Sequence, residues 1–429
     1  MTSTIFSPER LMYRLILAAS TFITCITLSA AWASLAHADN FTSTTVRPEL
    51  GKPLQAAKRL LDEKNYRGAL SILQKAESIS DLTPAEKVLI DRFRGAAAAG
   101  AGEYALAAKL YEAVIADGHL QAKEKLEVTQ AVGELLYQAK DFRGAVIWLK
   151  RCIAEGGSSP QTGALLVQSY YLDGDYADAA KALIHDMRDA ELSGGKPSIQ
   201  QLELLASCQS KLKDEEGYVN TLQKLVVLAP KPEYWDVLIR HVTSRPNFPQ
   251  RLEVAVGRLR LATGTLGGGD GYVEFAEEAL QNGIPGIAVT TLDKGFANGM
   301  LGHGPGTDRQ KRLVIMARQR AEADLKDLRS EEVAAASRDD GRALVNLGWD
   351  YLGHGKTEKS VTLLVQGIHK GHLKYPGDAL LDLGIAQLAE GHKNQAIQTF
   401  NTIKATEGCA ALARLWVTYI QSSPDPKTI

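Results

Sequence analysis

Apolar and small residues in this chain fall three, four and seven apart over most of its length, the spacing of a single helix face, and the helical runs come in pairs. One template recurs. A small residue stands at Ala69, Ala107, Ala145, Ala179, Ser360 and Ala396, with spacings of 38, 38, 34, 181 and 36. Three residues before each stand Tyr66, Tyr104, Phe142, Tyr176, Thr357 and Lys393, just after a Gly or charged turn. Twelve before stand Ala57, Gly95, Gly133, Val167, Gly348 and Gly384, and four after stand Leu73, Tyr111, Leu149, Leu183, Leu364 and Phe400. A period in this range predicts stacked helical hairpins. Residues three and four apart share a helix face, so the small residues mark where two helices cross closely and the bulky one fills the space left over.

Turn and cap residues place the elements. The first hairpin is read as Pro53–Leu61 and Arg67–Ile79 around the turn Lys64-Asn65-Tyr66. Thr83-Pro84-Ala85-Glu86 has the order of a capping box with proline in the first turn. The third hairpin runs from about Gln121 to Glu155 and the fourth from Ser159 to Ala190, closed by Gly156-Gly157 and Gly194-Gly195. Two less regular hairpins follow, Ser198–Leu228 and Tyr234–Ala262, the latter broken by Pro246 and Pro249. The Gly-rich run 264–271 is the expected linker between an N-terminal solenoid, 53–263, and a C-terminal one, 272–422. Beyond it Ala276, Pro285, Ala288 and Leu292 return to the template, and Pro285 to Thr357 is 72 residues, two periods of 36. The stretch from Asp308 to Ser337 lacks a clear turn and reads as one long helix or a poor hairpin. Repeats resume at Gly341–Gly371 and Pro376–Ala405, and Ala410–Gln421 reads as an amphipathic cap on the last of them. The fold class expected is an all-α superhelical solenoid of about nine to ten antiparallel helix pairs with an irregular middle.

Composition changes this picture mainly at the N-terminus. The chain has 429 residues, 45% apolar and 23% charged, with a net charge of −1, which gives no basic excess for nucleic acid. Arg10 and Arg14 precede a stretch without charge from Leu15 to Ala36, and Ala36-His37-Ala38 fits a small-x-small cleavage site. Residues 1–38 therefore read as a signal peptide and 39–52 as a flexible N-terminus, implying export and a periplasmic location. Cleavage leaves 47 basic against 49 acidic residues, a net charge of −2. The alternative is an uncleaved inner-membrane anchor over 15–36, since 22 helical residues reach about 33 Å. Cys25 lacks the residues expected before a lipidated cysteine. Cys152, Cys208 and Cys409 have no short motif spacing and are expected as buried free thiols.

At the Gly/Ala positions 57, 95, 133, 348 and 384, the aromatics 66, 104, 142 and 176 and the alanine series, the chain resembles the tetratricopeptide repeat family over most of 53–405. Gly348-Trp349-Asp350-Tyr351 resembles the related Sel1-like repeats. The resemblance implies a right-handed superhelix whose concave groove holds a peptide or partner protein, with no catalytic residue set. Mapping the family's groove positions onto the first helix of each pair gives Arg92, Glu127, Gln130, Glu134, Tyr137, Gln168 and Tyr171, then Arg342 and Trp349. Tyr and Trp are enriched at binding hot spots. The Lys and Asn pattern of chaperone-tail clamps is missing: the corresponding pairs are Arg92/Ala96, Gln130/Glu134 and Ala164/Gln168.

Candidate chemistry is thin. His369 and His372 are three apart with Gly371 between them and no third ligand, His303 sits in a loop sequence, and the 264–271 run has no Lys-Ser/Thr after it. No cofactor, metal or enzymatic activity is expected. The functions that fit are an exported protein-interaction scaffold in a bacterial envelope, resembling accessory factors of TonB–Exb-type systems, a binder of peptidoglycan fragments or another small ligand, or a regulator in trans of an envelope enzyme.

Overall fold

The computed structural model describes residues 47–404, 406 and 408–423. The expected signal peptide or anchor, the expected cleavage site and Cys25 lie outside them. Among the described residues the chain is entirely helical apart from turns, with twenty α-helices, no strand, and no helix long and apolar enough to cross a membrane. They fall into two compact units divided between Glu215 and Glu216.

The N-terminal unit contains α1 (Pro48–Asp62), α2 (Tyr66–Glu77), α3 (Pro84–Gly100), α4 (Tyr104–Ala116), α5 (Ala122–Gln138), α6 (Phe142–Ala154), α7 (Pro160–Asp173), α8 (Tyr176–Leu192) and α9 (Ile199–Leu212). Helix α1 starts five residues before Pro53, because Pro48 supplies a first-turn residue that needs no donor. Thr83 and Glu86 form the expected capping box, and Glu86 also takes Arg47 Nε and Nη2, both at 3.0 Å. These bonds hold the Glu86 carboxyl down at about 2. Turns within pairs share one geometry, with Lys64, Gly102, Lys140 and Gly174 all left-handed and Asn65, Asp141 and Asp175 capping the next helix. Gly156 and Gly194 are left-handed closures, and the amides that follow bond back to Cys152 and Ala190 at 2.9 and 2.8 Å.

The template residues are the core. Ala69, Ala107, Ala145, Ala179, Ser360 and Ala396 are all fully buried. The close approach lies where the pattern put it: a Cβ on Gly95, Gly133, Gly348 or Gly384 would meet Tyr111, Leu149, Leu364 or Phe400 at 2.9, 2.8, 2.7 and 2.4 Å. Each of these pairs is a small residue on one helix against the bulky one on its partner.

The C-terminal unit contains α10, which opens at the division (Glu215–Leu228), α11 (Pro232–Thr243), α12 (Glu253–Thr263), α13 (Gly268–Gln281), α14 (Pro285–Ala297), α15 (Thr307–Ser337), α16 (Arg342–Gly353), α17 (Thr357–Lys370), α18 (Pro376–Ala389), α19 (Lys393–Thr402) and α20 (Ala410–Ser422). Pro246 and Pro249 separate α11 from a 3₁₀ turn, Gln250–Leu252, that leads into α12. The Gly-rich run lies inside this unit: Gly264 and Gly267 turn the chain with positive φ, and Gly268–Gly271 is already the first turn of α13. The stretch without a turn signal is one continuous helix, α15, of 31 residues.

This unit closes on itself. Helix α20 packs on α18 and α19 as a cap would, and also on α11 and α12 from the start of the unit. Trp235 of α11 meets Tyr419 edge-on at 6.1 Å, and Tyr419 meets Trp416 at 5.7 Å. Trp235 and Trp416 are both buried. Arg251 pairs with Asp378, 127 residues away, and stacks on Tyr375 with 3.7 Å to the ring centroid. A terminal cap keeps a polar outer face, whereas α20 is apolar toward both sets of neighbours.

Candidate functional site

In the N-terminal unit the first helices of successive pairs also touch one another, α1 with α3 and α5 with α7, more than any two second helices do. The layer whose members lie closer together is the inner side of a curve, so α1, α3, α5, α7 and α9 line the concave face. That layer carries the residues expected to form a groove, and most of them are linked across it. Arg92 of α3 is buried and pairs with Glu124 of α5. Gln130 donates to Glu134 at 2.9 Å. The Tyr137 hydroxyl donates to Gln168 Oε1 on α7 at 3.1 Å, and the Tyr171 hydroxyl shares a 2.8 Å hydrogen bond with Ser207 of α9. Each tyrosine is braced edge-on by the aromatic that follows its turn, Tyr137 by Phe142 at 5.6 Å and Tyr171 by Tyr176 at 5.3 Å. Burial pushes both phenols above their usual range.

The Arg92–Glu124, Tyr137–Gln168 and Tyr171–Ser207 contacts each join one pair to the next, whereas Gln130–Glu134 stays within α5; one such hydrogen bond is worth about 1 kcal/mol net. Glu124 and Ser207 are the partners that the sequence reading did not include. The signal for them was spacing: Ser207 lies 36 residues after Tyr171, and Glu124 lies 32 after Arg92, close to one period. Glu127 is exposed on the same helix as Gln130 and Tyr137. What this face offers is a row of amide, carboxylate and phenol groups on a rigid layer, suited to hydrogen bonding with an extended backbone.

The two residues expected from the second segment lie in the C-terminal unit. Arg342 is exposed and pairs with Asp340 at 2.8 Å. Trp349 is half-buried inside the C-terminal unit, where the Arg258 guanidinium lies 4.9 Å from its ring centroid. Nearby on α16, burial together with Asp324 and Glu331 raises the Asp350 carboxyl to about 7. His354 holds Asp324 at 2.6 Å. Among the described residues no group of His, Cys, Asp and Glu is arranged to hold a metal. Cys152, Cys208 and Cys409 are buried free thiols, and burial raises the first two, Cys208 to about 12.

The tetratricopeptide repeat family profile matches residues 378–416, which span α18, α19 and the start of α20. No curated protein matches. Among solved structures, the chain is similar to one of Naa15/Naa10 bound to HypK-THB at 12% identity, covering 95% of this chain and 70% of that one with a TM-score of 0.29. It is similar to the TPR2AB domain of yeast Sti1 in complex with pHSP90 at 12% identity, covering 87% and 98% with a TM-score of 0.24. It is also similar to the APC/C hetero-tetramer Cut9–Hcn1 at 10% identity, covering 96% and 90% with a TM-score of 0.21. The helix pairing, the buried small-residue template and the matched repeat together make this chain an all-α solenoid of tetratricopeptide-like helix pairs, a fold that serves as an interaction scaffold.

Proposed function

We propose that this chain is an exported interaction scaffold of a bacterial envelope, holding an extended segment of a partner protein along the first-helix face of its N-terminal unit. The row Arg92, Gln130, Glu134, Tyr137, Gln168 and Tyr171 carries the reading, because it sets several donors and acceptors on one inner layer. An extended peptide has unpaired backbone amides and carbonyls spaced along its length, and such a row can satisfy them in succession. Phenol edges beside it supply apolar contact at little entropic cost. Export rests on the charge-free stretch 15–36 and the Ala36-His37-Ala38 site.

Crosslinking in envelope fractions, followed by capture of the tagged full-length chain, tests the scaffold. A defined partner is expected, and Tyr137→Ala together with Tyr171→Ala should weaken its recovery about tenfold or more, the effect of losing a hot-spot residue. Recovery of the same partner at wild-type yield by the double variant would sink the proposed face. N-terminal sequencing of the exported protein checks the location, with Asp39 expected as the first residue.

A further inference from the structure

Helix α12, EVAVGRLRLAT, is buried on nearly every side, and Arg258 stands in its middle with only 5% of its surface exposed. A guanidinium carries five donors, and a buried charge without partners is strongly unfavourable. Yet Arg258 Nη1 has no hydrogen-bond partner, and the residue's close contact is the face of Trp349. Asp382 on α18 is the carboxylate whose field reaches it, but the two form no ion pair. Asp382 keeps partial contact with solvent while walled in by protein, and burial plus Asp378 pushes its carboxyl up to about 8. With its carboxyl raised and no ion pair formed, Asp382 is a weak counter-charge for the guanidinium.

Arg258 also lines a small pocket of about 50 Å³. Its wall is apolar at Leu261, Ile287 and Leu352, with Thr290 and the backbone at Gly353 and Gly355 completing the lining. The Thr290 hydroxyl donates to Gly286 O at 3.1 Å, and Arg258 is the charged residue among those lining the cavity. The volume suits a head group of a few heavy atoms. One cation, one planar fork of donors and an aliphatic wall match a planar monoanion with an alkyl end. A phosphate dianion fits poorly, since it would bring two charges against a single arginine.

We propose that this pocket binds a small aliphatic carboxylate, its carboxylate on the Arg258 guanidinium and its alkyl end against Leu261, Ile287 and Leu352. The site belongs to the C-terminal unit alone and goes beyond the N-terminal face described above, so substitutions at Tyr137 and Tyr171 leave it intact.

Calorimetry and thermal unfolding of the full chain with acetate, propionate and butyrate, against phosphate, chloride and the neutral isostere butanamide at matched ionic strength, test it. Saturable binding of at least one alkyl carboxylate is expected, with no response to butanamide. Arg258→Met should weaken binding about tenfold or more, the loss of a charge-assisted hydrogen bond, while leaving the ligand-free protein at least as stable as before. A purely structural arginine predicts the reverse: no binding in the wild type and a less stable variant. Ile287→Phe, which keeps the charge and fills the wall, should shift preference from butyrate toward acetate and holds the test open should Arg258→Met fail to fold. The proposal is overturned by no saturable response to any carboxylate, by equal response to phosphate or butanamide, or by unchanged binding in a folded Arg258→Met protein.

Discussion

The N-terminal unit is an open series of helix pairs, whereas the C-terminal unit bends round until its last helix packs against its second and third. Both use the same packing template, with fully buried small residues at Ala107 and Ala396 alike. What differs is where polar groups go. In the open unit, Tyr137, Tyr171 and Arg92 find partners one pair further on, even though Arg92 and Tyr137 are buried. In the closed unit Arg258 is buried with no partner for its Nη1, and the half-buried Asp382 nearby has its carboxyl raised by desolvation. What separates the units is therefore whether the next helix pair supplies a partner for an inward polar residue, since Arg92 and Arg258 are both buried.

The largest effect that would break this comparison is expected from pH. Asp382 and Asp350 have folded-state carboxyls raised to about 8 and about 7, so between pH 4 and 8 the folded C-terminal unit holds protons that the unfolded chain has released. Its stability should fall as pH rises through that window. Glu86 has the opposite shift, to about 2, so the N-terminal cap it forms with Arg47 is lost only as pH falls from about 4.5 toward 2. Hydrogen exchange read peptide by peptide across pH reports the two units separately. Parallel pH dependence in both would contradict the assignment.

Next in size is Trp416→Ala on the closing helix. A fully buried tryptophan is removed, at a cost of about 3–5 kcal/mol. Exchange should rise in α11, α12 and α18 as well as α20, while α1–α8 stay protected. Loss confined to α20 would mean that it covers the end of the array without closing it.

Smaller effects compare the shared template. Gly384→Ala puts a methyl 2.4 Å from the Phe400 ring, against 2.9 Å from Tyr111 for Gly95→Ala. Overpacking costs about 1–3 kcal/mol, and Gly384→Ala should sit at the upper end, with Gly95→Ala below it in urea midpoints. The smallest change should carry the opposite sign. The Tyr111 hydroxyl is buried with no hydrogen-bond partner, so Tyr111→Phe is expected to stabilise the protein by up to about 1 kcal/mol. A destabilised Phe variant would mean that the hydroxyl has a partner in solution.

Much of the open unit was readable in advance because its determinants are local and periodic. Ala69 to Ala179 repeat within 38 residues of one another, and Thr83, Asn65, Asp141 and Asp175 mark helix starts within three residues of the group they cap. The closed unit depends on partners that no local window contains. Arg251 and Asp378 are 127 residues apart, and nothing in either segment names the other. Helix α15 replaces a repeat with a single 31-residue rod, and its Arg/Glu/Ala composition was equally compatible with a hairpin. Arg258 left no trace: α12 carries Glu253, Arg258 and Arg260 among its apolar residues, and nothing in that run says which arginine is buried. The groove positions were found by period, but their mutual bonding was not, because a pattern of residue types does not say whether Tyr137 reaches solvent or Gln168.

The contact between α20 and α11 and α12 also gives the two units different evolutionary freedom. An open array can gain or lose a helix pair and remain an open array, since each pair meets only its neighbours. A closed array has a fixed number of members. Duplicating or deleting one pair among α13–α19 would carry Asp378 away from Arg251 and Tyr419 away from Trp235, and the seam would not form. Length variation among related chains should therefore gather in the first half and be nearly absent from the second.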